Sequence, residues 1–152
     1  MSLEEGLYLH PGRVAAFAGP GRISAVLGSC VAMCLFDVRG GLGGMNHFLL
    51  PHDATPSLRL AGPALDALLA ALDGLGAHRP ALRAKLFGGA WPLGVYGSEP
   101  PLGILNVRAA RTALCRYQIP LLEEDVGEIY GRKLVFDTDG GAAVVRRLGR
   151  RA

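Results

Sequence analysis

Charge is scarce in this sequence. Only 19% of its 152 residues are charged, against 50% hydrophobic, which excludes intrinsic disorder as its general state. Long apolar runs are missing too: none reaches the length of about 18 residues that a membrane span needs. The opening Met1-Ser2-Leu3-Glu4-Glu5 lacks the basic character of a signal peptide. Together these predict a cytoplasmic protein with no membrane insertion. Cysteine is sparse, with Cys30, Cys34 and Cys115 forming an odd set without CxxC spacing, which argues against a disulfide framework. The histidines, His10, His47, His52 and His78, do not cluster with them as zinc ligands do, so neither a metal nor another cofactor is expected. The net charge is +3, and the densest basic group, Arg146, Arg147, Arg150 and Arg151, has no aromatics interleaved. Nucleic-acid binding would want such interleaving or a basic helix face, so none is expected. Repeats, linkers and low-complexity segments are also absent, and the length predicts one domain over 1–152.

What is present is a run of short apolar segments between turn residues. Strands are predicted over 13–18 and 22–27, bounded by Pro11-Gly12, Gly19-Pro20-Gly21 and Gly28-Ser29. Residues 31–36 are continuously apolar, as a strand buried on both faces requires. Gly40, Gly41, Gly43 and Gly44 read as a flexible turn before a strand over 45–50. A helix is predicted over 63–75, with Pro63 in its first turn and Leu65, Leu68, Leu69 and Leu72 along one face. A strand over 84–87 runs into Gly88-Gly89. A second helix is predicted over 107–117, with Asn106 as its N-cap. Strands over 121–126, 133–136 and 142–148 close the chain, the last two as a hairpin about Asp139-Gly140-Gly141. Strands outnumber helices and most connections are tight. The expected class is therefore α+β, a layered arrangement of mixed, largely antiparallel sheet with helices on one side.

Two residues could carry chemistry. Cysteine and histidine are ordinarily core residues, and burial habits alone favour that reading for both Cys30 and His47. Position adds to it. Gly28-Ser29-Cys30 lies at a turn, where a side chain and backbone N–H groups can face the same space, as a nucleophile with an oxyanion site requires. His47 lies in a strand just after the glycine-rich turn, and pairing with the Cys30 strand could bring ring and sulfur close. A thiol with an ordinary pKa of about 8.5 needs such a neighbour. Ser24 is a candidate third group to hold the imidazole, though as readily a plain polar strand residue. Cys34, mid-strand, reads as core.

LGSCVAMCLFD followed by GGLGGMNHFLLP resembles the signature of the CheD family of chemoreceptor glutamine deamidases. The likeness continues through LHPGR, AKLFGGA, LGILN and EEDVGEIYGRKLVFDTDGG, and covers nearly the whole chain in order. It implies a fold similar to the catalytic domain of cytotoxic necrotizing factor toxins. It also implies a cysteine amidohydrolase that converts receptor glutamines to glutamate, in some members also hydrolysing glutamyl methyl esters. The catalytic roles fall on Cys30, His47 and a hydroxyl residue, Ser24 here where threonine is usual, with Ser29 and Asn46 supporting the site. Leu105 stands where the family often has arginine, and Glu128 where it has glycine. Implied partners are the cytoplasmic domains of chemotaxis receptors and a CheC-type phosphatase. Two rival functions compete with catalysis: a non-catalytic adaptor that binds those same partners, and a metal or redox role for Cys30 and Cys34.

Overall fold

A computed structural model of the chain describes residues 6–49, 60–91 and 100–149. The strands are β1 (Leu7–Tyr8), β2 (Val14–Ala18), β3 (Arg22–Leu27), β4 (Val31–Asp37), β5 (Leu42–Phe48), β6 (Leu82–Gly88), β7 (Leu121–Val126), β8 (Gly131–Asp137) and β9 (Ala143–Leu148). The helices are α1 (Ala61–Gly74) and α2 (Leu102–Arg116), with a short 3₁₀ turn at Arg79–Ala81. The strands form two sheets, ordered β1-β3-β8-β9 and β2-β5-β4-β6-β7. Every pairing is antiparallel except β1 with β3 and β6 with β7. This is the layered, mixed and largely antiparallel α+β class expected.

Strand β4 sits at the centre, and each of its residues is buried. Alternate side chains of a strand face opposite sides. Val31, Met33 and Leu35 pack on one side against Leu65, Leu68, Leu69 and Leu72 of α1 and Val107, Ala110 and Leu114 of α2. Ala32, Cys34 and Phe36 pack on the other against Ile23, Ala25 and Leu27 of β3 and Leu134 and Phe136 of β8. Three layers result: helices, five-stranded sheet, four-stranded sheet. No helix among the described residues is long and apolar enough to cross a membrane.

Three expectations need correction. Gly43 and Gly44 belong to β5 rather than to the preceding turn. They are there because neighbouring chains press close: a Cβ on Gly43 would lie 2.7 Å from the Thr138 carbonyl oxygen, and one on Gly44 2.7 Å from that of Ala15. Helix α2 begins at Leu102 after Pro101, so Asn106 is inside the helix and not its cap. Its amide is engaged elsewhere, as described below. Strand β1 and the 3₁₀ turn were not expected; a two-residue strand has no periodicity to read. The predicted strand end at Leu50 lies outside the described residues.

Candidate active site

The turn between β3 and β4 carries Cys30. Three successive carbonyls of this turn each accept a hydrogen bond from the segment after β6 or from α2. The Gly28 oxygen accepts from the Ala90 N–H (2.9 Å) and the Cys30 oxygen from the Gly89 N–H (2.8 Å). The Ser29 oxygen accepts from Nδ2 of Asn106 (2.7 Å). Pinned carbonyls fix the peptide planes, and with them the direction of the N–H groups on the opposite side. Gly88 permits the close approach that this requires. Its φ is +108, and a Cβ there would fall 2.2 Å from the Cys30 oxygen. Cys30 itself is half-buried and packs against the intersheet core.

His47 comes to the same end of the same sheet. It pairs with Ala32. Cys30 comes just before the first paired residue of β4, Val31, and packs on the same intersheet core as Ala32. The alternation of β4 carried one step further would set it diagonal to His47, where ladder residues stand roughly 7–8 Å apart. The ring is buried, and its Nδ1 lies 2.8 Å from the Leu9 carbonyl oxygen. Only a protonated nitrogen can donate to a carbonyl, so the proton sits on Nδ1 and Nε2 is left as the acceptor. Among the described residues Nε2 has no hydrogen-bond partner. Burial holds the His47 pKa below the ordinary histidine value; the Leu9 contact opposes this and nearby His10 adds to it. A neutral ring with an available Nε2 can take a proton. Leu9 is held in turn, its N–H donating to the Ser24 carbonyl oxygen at 2.7 Å.

A family profile described as CheD chemotactic sensory transduction matches residues 49–147. The chain belongs to the CheD family. A probable chemoreceptor glutamine deamidase CheD 1 of Anaeromyxobacter dehalogenans is 47% identical over 93% of this chain and 84% of that protein. A probable chemoreceptor glutamine deamidase CheD of Trichlorobacter lovleyi is 37% identical over 92% of this chain and 89% of that one. Among solved structures, the hypothetical protein YfiH of Bacillus licheniformis superposes with a TM-score of 0.45 at 12% identity, over 68% of this chain and 46% of that one. The family profile begins downstream of Cys30 and His47, whereas the alignments with the CheD relatives cover most of the chain.

The other expected residues of this CheD chain are placed less simply. Ser24 is fully buried in β3, but its Oγ has no hydrogen-bond partner among the described residues. It alternates with Ile23 and Ala25, which line the intersheet core, and it connects to His47 through the Leu9 backbone rather than through its hydroxyl. Asn46 precedes His47 and so takes the opposite face of β5; its Oδ1 accepts from the Met33 N–H at 2.9 Å. Ser29 contributes its backbone to the pinned turn. Cys34 lies four residues along the chain from Cys30, roughly 13 Å at strand spacing, and burial raises its thiol pKa well above the usual value. That separation is too great for the two sulfurs to share a metal ion. Leu105 is on α2, and Glu128 adopts a left-handed backbone (φ 64), a conformation that suits the glycine usual there.

One residue was missed. Arg132 of β8 is completely buried. Its Nη1 donates to the Gly127 carbonyl oxygen (2.9 Å) and Nε to Oδ1 of Asp125 (3.1 Å), and the same carboxylate oxygen is 3.0 Å from Nη2. The Gly127 N–H donates to the Gly88 oxygen at 2.9 Å. The guanidinium thus braces the corner of β6 and β7 on which the Cys30 turn rests. The signal was present in GRKLVFD, where alternation puts Arg132 in step with the inward Leu134 and Phe136.

Proposed function

We propose that this chain is a cysteine amidohydrolase that deamidates glutamine side chains in the cytoplasmic domains of chemotaxis receptors. One observation supports the reading: His47, paired with Ala32 two residues after Cys30, has its Nδ1 on the Leu9 carbonyl and an Nε2 with no hydrogen-bond partner among the described residues. His47 takes the thiol proton, and the Cys30 sulfur attacks the side-chain amide carbon. N–H groups of the Ser29–Cys30 turn receive the oxyanion, since the turn's carbonyls are held away. The tetrahedral adduct collapses as His47 returns the proton to nitrogen, ammonia leaves, and a thioester remains. Water, deprotonated by His47, attacks the thioester; the product is glutamate and the thiol is restored. The Leu9 carbonyl keeps the tautomer, and Ser24 seats Leu9. The relatives' names support the substrate class. The same machinery would hydrolyse glutamyl methyl esters, and a CheC-type phosphatase is the expected partner, both in the cytoplasm.

The test is a receptor cytoplasmic fragment incubated with purified protein and followed by mass. A gain of about one dalton per converted glutamine is expected with the unaltered protein and none with Cys30→Ala. Equal conversion by both would sink the assignment. Full complementation of a deletion strain by Cys30→Ala would favour the adaptor instead.

A further inference from the structure

Immediately beside the Cys30 turn lies a cavity of about 310 Å³, lined by Gly89, Trp91, Val107, Arg108 and Arg111 among others. Its size falls at the lower end of ordinary ligand sites, about 300–1,000 Å³. It is one hydrogen bond from the nucleophile, for the Gly89 N–H that binds the Cys30 carbonyl belongs to its wall. The two arginines differ. Arg111 is engaged with both carboxylate oxygens of Glu124 (2.9 and 2.7 Å). Arg108, one helical turn nearer the start of α2, has no carboxylate partner among the described residues and is exposed at the cavity. Val107, Ile104, Val126 and Trp91 supply apolar lining.

We infer that this cavity is a specificity subsite for a glutamate side chain that neighbours the reacting glutamine in the protein substrate, read by Arg108. The argument is charge and shape together. A glutamate stem is two methylenes that fit apolar walls, and its carboxylate matches the planar guanidinium fork in a way that a neutral side chain does not. The adjoining Glu124 already shows Arg111 in that geometry, on the same helix. The inference rests on the deamidase reading for the identity of the substrate, while the subsite's affinity for a carboxylate does not need turnover.

Trp91 is the only tryptophan in the chain, so its fluorescence reports occupancy. Cys30→Ala protein is titrated with two synthetic helix-forming peptides, each with one glutamine, flanked by glutamates in one and by lysines in the other. The glutamate peptide should bind at least about fivefold more tightly, the effect of roughly one good charge pair. Adding Arg108→Glu should reverse the order, and Arg108→Gln should abolish the preference. Equal affinities for the two peptides, or a preference that survives Arg108→Gln, overturns the subsite. Deamidation of the same peptides by the protein with Cys30 intact separates the two readings. Tight, glutamate-selective binding without conversion sinks the deamidase reading and leaves the subsite. Conversion without selectivity does the opposite.

Discussion

At the scale of single residues, the proposed chemistry turns on the state of His47. Burial disfavours its cation, so the ring stays neutral below the pH at which an exposed histidine would protonate. The acid limb of kcat/KM for deamidation is therefore expected below pH ~6.5, the ordinary histidine value. The same shift links to stability. Between the depressed native value and about 6.5 the unfolded chain binds more protons than the native one. The contribution of His47 is then intact above that range and falls as the pH drops through it. Urea midpoints at neutral and mildly acidic pH, compared with those of His47→Gln, measure it; an equal loss in both proteins would remove His47 as the cause. Ser24 makes a second case. Its carbonyl holds Leu9 and its hydroxyl bonds to nothing described, so Ser24→Ala keeps the backbone link and deletes an unsatisfied buried hydroxyl. Stability should be unchanged or slightly higher, and kcat should stay within about threefold, under 1 kcal/mol in barrier. A fall of a hundredfold would make the hydroxyl, and not the Leu9 carbonyl, the group that orients the imidazole.

At the scale of elements, the site is where β4, β5, β6, α2 and the turn before β4 converge, and Arg132 braces that convergence from the opposing sheet. Arg132→Met removes hydrogen bonds to Gly127 and Asp125 while keeping much of the volume. Asp125 is 38% exposed and stays solvated, so the cost should lie below that of a fully buried pair, about 2 kcal/mol. Because the brace bears on the Gly88 corner, kcat should fall more than stability loss alone explains under conditions where the variant is fully folded. Unchanged kcat at full folding would reduce Arg132 to a structural role. Elements with strong periodicity or continuous apolarity were legible, as β4 and the α1 leucine face show, because burial imposes those patterns directly. The proposal that Cys30 and His47 act as a pair comes from their motifs, since either alone has the composition of core. What escaped depended on contacts distant in sequence. Asn106 looked like a cap because its type suits one, yet its amide is engaged with Ser29 from 77 positions away. Gly43 and Gly44 looked like turn residues because glycine suits turns, whereas here they admit neighbouring backbone.

At the scale of the whole molecule, the two apolar cores have one strand in common. Val31, Met33 and Leu35 belong to the helix-side core, and Ala32, Cys34 and Phe36 to the intersheet core. Neither core can come apart without exposing half of β4, so the layers should melt together and the site with them. Leu68→Ala on α1 and Phe136→Ala on β8 test this, since both side chains are fully buried and lie in different cores. Each substitution should cost about 3–5 kcal/mol from lost burial and the cavity left behind. For a chain of this length that lowers Tm by roughly 6–20 °C. Shared cooperativity predicts more than the size of the loss. In each variant the far-UV circular dichroism transition, which reports strands and helices together, should coincide with the fluorescence transition of Trp91, which reports the end of the sheet beside Cys30. Separate transitions in Phe136→Ala, with Trp91 retained after the four-stranded sheet is lost, would show that the helix-side layers stand alone. The histidine would then be held without its support, because Leu9 is seated by β3 of the four-stranded sheet. A site held from the four-stranded sheet by both the Leu9 contact and the Arg132 brace should be lost together with that sheet.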